Sequence, residues 1–322
     1  MKNKLKRNKK SIFTKPVAIV LLALLTCCLW GSAFPAIKTG FVLFNIETSG
    51  SKILFAGYRF FLAGIMTLVI ASIMEGRLVT IKASSIPYVL MQGVIQTTIQ
   101  YVCFYIGLSN TTGAKASIIN GSNAFFSIIA AHFMTKNEKM TVRKVIGCIV
   151  GFAGVVAVNA NGLNLFGNFS FWGEGMVLLC SISYGISTVT LKMISNRETP
   201  NAITAYQLIF GGAILIMIGW ITGGHVSGFT LTSTLLLIYL ALISTVSFCL
   251  WANLLKHNPV GKIAIFGFSI PVFGVFMSAV FLGEKAITLT TVIALIFVSI
   301  GITIVNTGTS DDSKINAEIL DV

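Results

Sequence analysis

The chain has 322 residues, 55% of them hydrophobic and only 10% charged, with a formal net charge of +13. Soluble domains are usually about a quarter charged, and a chain this apolar (mean hydropathy +0.88) cannot hide the excess in one core, which excludes an ordinary soluble fold. A nucleic-acid binder is excluded by where the cations lie: they gather in the N-terminal tail and in short loops, the arrangement that encodes membrane topology.

Residues 1–16 read as a basic cytoplasmic tail with Lys2, Lys4, Lys6, Arg7, Lys9, Lys10 and Lys15. A signal peptide would have the same opening. However, Thr26 is a poor residue before a cleavage point at Cys27, and the apolar run continues through Trp30 to Ile37. The segment therefore reads as an uncleaved first helix. A bilayer core of about 30 Å needs about 20 apolar residues of helix. Ten segments meet or approach that length: 17–38, 51–74, 86–108, 113–135, 142–160, 172–194, 201–222, 232–255, 260–282 and 286–306. Their apolar runs are continuous rather than alternating, which predicts helices and not strands. The expected fold class is all-α integral membrane, followed by a polar tail at 307–322. Eighteen lysines and arginines fall on the side of the N-terminus, against Lys38, Lys52, Lys115 and Lys285 on the other. That imbalance places both termini in the cytoplasm of a multi-pass cell-membrane protein.

The chain repeats itself at a spacing of 146–154 residues. Trp30 through Lys38 falls on Tyr184 through Lys192, Tyr58-Arg59 on Tyr206-Gln207, and Gly64 on Gly212. Tyr101 and Phe104 fall on Phe248 and Trp251, Glu138 on Glu284, and Gly154 and Asn159 on Gly301 and Asn306. Two units follow, 17–160 and 172–306, joined by an extracytoplasmic linker at 161–171. Each holds five helices. Five is odd, so the second unit enters from the opposite side, giving ten transmembrane helices as two inverted five-helix repeats. In such an architecture two bundles rock about a central site.

Trp30-Gly31-Ser32-Ala33-Phe34, Arg59-Phe60, and Pro271-Val272-Phe273 leading to Leu282-Gly283-Glu284 are similar to the EamA-type family of the drug/metabolite transporter superfamily. The resemblance covers about residues 18–306 as two tandem units. It implies a protein that moves small metabolites, amino acids or drugs across a membrane, often outward. The sequence departs from the pattern at Asn123-Ala124, near where the second unit has Pro271. It departs again at Asn137-Glu138 in place of Gly-Glu, and at Tyr184 in place of a tryptophan.

Arg59 is costly inside the second helix, about 2.5–3.5 kcal/mol at a bilayer centre. It either faces a cavity and holds an anionic group, or caps carbonyls of a neighbouring helix, or snorkels outward. Gln92, Gln96 and Gln100 recur every four residues and share one face, expected to point inward. With Trp30, Asn120, Tyr184 and Trp251 they predict an amide-lined, aromatic-walled cavity for a small organic solute. Lys115 and Lys262, each near the start of the fourth helix of its unit, are placed to attract an anion from either mouth. Pro35 and Pro271 are expected to interrupt the first and ninth helices as kinks or gates.

The cysteines lie in apolar runs without metal-ligand spacing, and no metal, cofactor or catalytic group is expected. His132 stands as a lone candidate proton site. The leading reading is a secondary transporter in the lipid bilayer, monomer or homodimer, exporting a small metabolite, amino acid or drug by alternating access. An organic-anion importer or exchanger using Arg59, Lys115 and Lys262 stays open. So does a membrane enzyme or sensor without net transport, which would need a buried acid–base or metal cluster.

Overall fold

The structure, a computed structural model, describes residues 11–111, 119–136, 138–159, 170–282, 292–293 and 296–305. Polar punctuation sets where the apolar runs become helices. Pro16 opens α1 (Pro16–Leu43), where its missing N–H costs nothing. The Thr48 hydroxyl accepts from Ser51 N at 3.1 Å and starts α2 (Ser49–Glu75), which Gly76 ends in the left-handed region at φ 64°. Helix α3 (Ile86–Gly93) widens into a π turn, Val94–Ile99, before α4 (Gln100–Asn110). Next come α5 (Asn123–Met134) and α6 (Val142–Asn159). A second π turn, Phe171–Gly175, leads into α7 (Met176–Ile194). Thr199 caps α8 (Pro200–Ile221), and Thr230 with Ser233 forms a capping box on α9 (Leu231–His257). Helix α10 (Val260–Ala264), a 3₁₀ turn at Ile265–Phe268 and α11 (Ser269–Leu282) follow, then α12 (Ile296–Val305).

Among the described residues there is no strand, and six helices are long and apolar enough to cross a membrane. They are Pro16–Leu43, Ser49–Glu75, Ala83–Leu108, Phe171–Ile194, Pro200–Ile221 and Leu231–His257. The expected segments 113–135 and 286–306 lie partly outside the described residues. Val17, Met74, Phe133, Ile221 and Leu231 are largely exposed, an outer surface suited to lipid rather than water.

Lipid removes the hydrophobic drive between helices, so close backbone approach has to hold the bundle together. Small residues permit it. Helices α2 and α8 run antiparallel along a glycine seam: Gly50 meets Thr222, Gly57 meets Ile216, and Gly64 meets Ile209. A Cβ added at Gly57 would lie 2.7 Å from Ile216 N, and one at Gly219 would lie 2.7 Å from Leu54 Cα. These two helices hold equivalent places in the repeat, and they pair antiparallel. The same relation recurs elsewhere. Gly31 of α1 packs on Phe273 of α11, and its repeat mate Gly185 of α7 packs on Phe126 of α5. The small face of α6 settles against the other unit: Gly147 and Gly151 meet Gly301 of α12, and Gly151 also meets Phe268.

Two expectations about proline change. Helix α1 runs through Pro35 without a break. Pro35 withdraws one hydrogen bond, from the Gly31 carbonyl, and the turns on either side close normally. Pro271 falls in the first turn of α11, and the irregularity precedes it, in the 3₁₀ turn Ile265–Phe268. A proline ring crowds the carbonyl four residues back, here Gly267, so the tighter winding sits where that clash would fall. The Cys27 thiol of α1 donates to the Phe266 carbonyl at 3.2 Å. In the first unit Ser122 breaks regular winding at the equivalent place without a proline, its N–H bonding the Ile119 carbonyl three residues back at 3.0 Å.

Candidate functional site

Where α1, α2, α4 and α9 meet, aromatic rings form a connected row. Trp30 lies 5.2 Å from Trp251 and 5.5 Å from Phe248 between ring centres. Phe248 leads to Phe60, Phe60 to Tyr101 at 4.3 Å, and Tyr101 to Phe104 and Tyr105. Tyr184 reaches the same neighbourhood from α7, close to Tyr101.

Arg59 is buried beside this row, its guanidinium carbon 4.9 Å above the Phe60 ring. The Nε–H donates to Ser244 Oγ at 3.1 Å and to the Leu240 carbonyl at 3.3 Å, both on α9. The Tyr105 hydroxyl also interacts with it. No carboxylate lies within 4.0 Å of it among the described residues. Thr48 starts α2 earlier than the apolar run does, so Arg59 lies deeper than the sequence predicts, about 15 Å into the helix at 1.5 Å per residue.

The three glutamines do not act alike. Gln92 is fully employed: its amide nitrogen donates to Gln96 Oε1 at 2.7 Å and to the Ser187 carbonyl at 2.9 Å, and its oxygen accepts from Thr190 Oγ1. It ties α3 to α7. The π turn then shifts the register, because its wider turn displaces later side chains around the axis. Gln100 is buried with Oε1 unpartnered. Gly93, just before the π turn, lets α3 approach α8 closely: an added Cβ there would lie 2.8 Å from the Gln207 carbonyl.

Gln207 is a further candidate, one that residue type alone did not single out. Both of its amide atoms are buried without a partner, and it is the repeat mate of Arg59. Thr97 Oγ1, Ser247 Oγ and Trp251 Nε1 are in the same condition. The readable signal was a glutamine in an apolar run, aligned with the other unit's arginine.

The matches to known proteins agree with this architecture. The model of the EamA-like transporter family matches residues 17–160 and again 171–307. The chain belongs to the EamA-like transporter family. YvbV of Bacillus subtilis (strain 168), named an uncharacterized transporter, is 27% identical over 292 residues, covering 89% of this chain and 91% of that protein. An uncharacterized transporter of Archaeoglobus fulgidus is 25% identical, covering 82% and 89%. A solved crystal structure shares the fold at a TM-score of 0.76 and 15% identity, over 90% of this chain and 96% of its own.

Within this EamA-like chain the remaining candidates separate. Asn120 accepts from Asn123 Nδ2 at 3.0 Å, near the start of α5. Lys115 lies outside the described residues. Lys262 is half-buried on α10. His132 accepts from Met140 N at 3.1 Å, which uses one ring nitrogen to hold the loop after α5. Among the described residues no group of His, Cys, Asp or Glu is placed to hold a metal ion.

The sequence also gave no warning of an ion pair that closes one end of the bundle. Lys192, in the last turn of α7, donates to Glu138 Oε1 at 2.7 Å and to the Asn258 carbonyl at 2.6 Å. Glu138 Oε2 accepts from Gly261 N at 3.3 Å, at the start of α10, where a helix N-terminus favours an anion. Loop, α7 and α10 are thereby joined across the two units. Lys192→Met strands a buried carboxylate and is expected to destabilise the protein by about 2 kcal/mol, read as a lower midpoint of thermal unfolding in detergent. Glu138→Gln added to it should recover part of that loss.

Proposed function

We propose that the chain is a secondary transporter that carries a small organic solute outward across the cell membrane by alternating access. In this reading it has ten helices in two inverted units, with both termini in the cytoplasm. The observation that carries it is the set of buried polar atoms without partners, on Gln100, Gln207, Ser247 and Trp251, on helices of both units. Each such group is unfavourable by about 1–3 kcal/mol in an apolar interior. A solute that supplies the missing donors and acceptors would find them arranged in advance. Trp30, Tyr184 and Trp251 would wall it, Arg59, Gln96, Gln100, Gln207 and Asn120 would bond it, and Gln92 would brace Gln96. Pro271, with the irregular winding near Ser122 and Ile265–Phe268, would let the fourth helix of each unit bend as the site changes sides. The outward direction follows the family resemblance.

One observation favours a second reading, an importer or exchanger of organic anions. Arg59 is buried with hydroxyl, carbonyl and ring partners but no carboxylate within reach among the described residues. An anionic solute would neutralise it.

Counterflow into proteoliposomes loaded with panels of amino acids, amines, sugars and organic anions tests both. Gln207→Leu keeps the volume, removes two unpartnered polar atoms, and should leave abundance normal while lowering transport at least about tenfold. Unchanged counterflow in Gln207→Leu would remove this site. Acceleration by internal anions alone would select the second reading.

A further inference from the structure

The loop after α2 and the loop after α7, one from each unit, line an open cavity of about 450 Å³. Arg77, Lys82, Arg197 and Lys256 line it, against Glu75 and Glu198. Both carboxylates are engaged: Glu75 lies 3.5 Å from Arg77 Nη2, and Glu198 Oε1 accepts from Lys82 N at 3.0 Å. The cavity is therefore cationic by two charges.

Its walls are built, not draped. Val79 N donates to Ser72 Oγ at 3.0 Å, and the Val79 carbonyl accepts from Tyr206 OH at 3.1 Å. The Arg197 guanidinium stacks on Tyr88 at 4.4 Å. Stacking occupies the face of the guanidinium and keeps its N–H edge for an in-plane acceptor. Beside the cavity, Leu78, Met74 and Ile73 are 69%, 76% and 74% exposed. A cationic cup next to an apolar shelf matches a ligand with a phosphate at one end and hydrocarbon at the other.

We propose that this cavity binds the phosphate headgroup of an anionic phospholipid, with Lys82, Arg197 and Lys256 on the phosphate and the shelf of Ile73, Met74 and Leu78 along the acyl chain. The shared chemistry, a phosphate, is also offered by soluble phosphate esters, and the shelf is what favours the lipid.

The test is native mass spectrometry of the full chain with equal amounts of phosphatidylglycerol and phosphatidylcholine. Wild type should retain phosphatidylglycerol preferentially. K82Q/K256Q removes two charges without touching the Lys82 amide that holds Glu198, and should lower that preference about thirtyfold. K136Q/K139Q removes two charges from exposed positions on another loop and should leave it unchanged. An equal fall in both variants, or no preference in wild type, overturns the proposal. Displacement of phosphatidylglycerol by glycerol 1-phosphate at comparable concentration overturns the lipid assignment and makes this a soluble-phosphate site.

Discussion

Gly212→Val is expected to remove folded protein from the membrane fraction, whereas Gly267→Ala is expected to be tolerated. The two glycines differ in what a side chain would meet. A Cβ at Gly212 runs into the backbone of α2, at Phe61 N and 2.8 Å from Phe61 Cα. Backbone cannot rotate aside, so α2 and α8 must separate along a seam that extends from Gly50 to Gly64. A Cβ at Gly267 finds only Ala124 Cβ, at 4.0 Å. Overpacking typically destabilises by about 1–3 kcal/mol and by more where backbone is the obstacle. Valine adds two further methyls, so about 3 kcal/mol or more is expected. Size-exclusion profiles of a fluorescent fusion in detergent, with thermal midpoints, would measure it. A normal profile for Gly212→Val would show that the seam has more slack than its distances allow.

Arg59→Met should do the reverse, sparing abundance and lowering transport about a hundredfold. Losing the side chain orphans little on α9, because Ser244 Oγ already donates to the Leu240 carbonyl at 3.1 Å. Burying the cation is itself unfavourable, so removing it should not weaken the fold. What methionine cannot do is bond a solute through charge-assisted hydrogen bonds, and losing such a partner typically costs about 2–5 kcal/mol. Arg59→Lys keeps the charge without the planar fork and should fall between the two. Loss of abundance in Arg59→Met with normal transport per molecule would assign Arg59 to packing alone. Rates per folded protein in proteoliposomes separate the outcomes.

Sequence reasoning reached the all-helical, two-repeat architecture because the features that set it are periodic or summed over many residues. Apolar length and the offset from Trp30 to Tyr184 both draw on long stretches, and neither depends on one side chain. The helix ends were less legible. Leu43 continues α1 past a lysine and a threonine, and Ser49 starts α2 before the apolar run begins, because caps rather than hydropathy decide ends. The glutamine stripe shows the limit most clearly. A spacing of four puts Gln92, Gln96 and Gln100 among the buried residues, but which amide atoms find a partner depends on α7, a contact far along the chain: Gln92 reaches Ser187 and Thr190, and Gln100 Oε1 has none. Glu138 and Lys192 were invisible as a pair for the same reason: 54 positions separate them, and only the packing of α7 against the loop brings them to 2.7 Å.

The seam of α2 against α8 also bears on how far each unit can change alone. Each glycine there has its available volume set by the main chain of the other unit, so neither unit can accept a larger residue on its own initiative. One unit alone would carry a groove cut to backbone depth and no covering for it. The repeat is thus half of a lock rather than a domain. Such a groove closes only when an antiparallel helix with small residues at the matching positions lies against it.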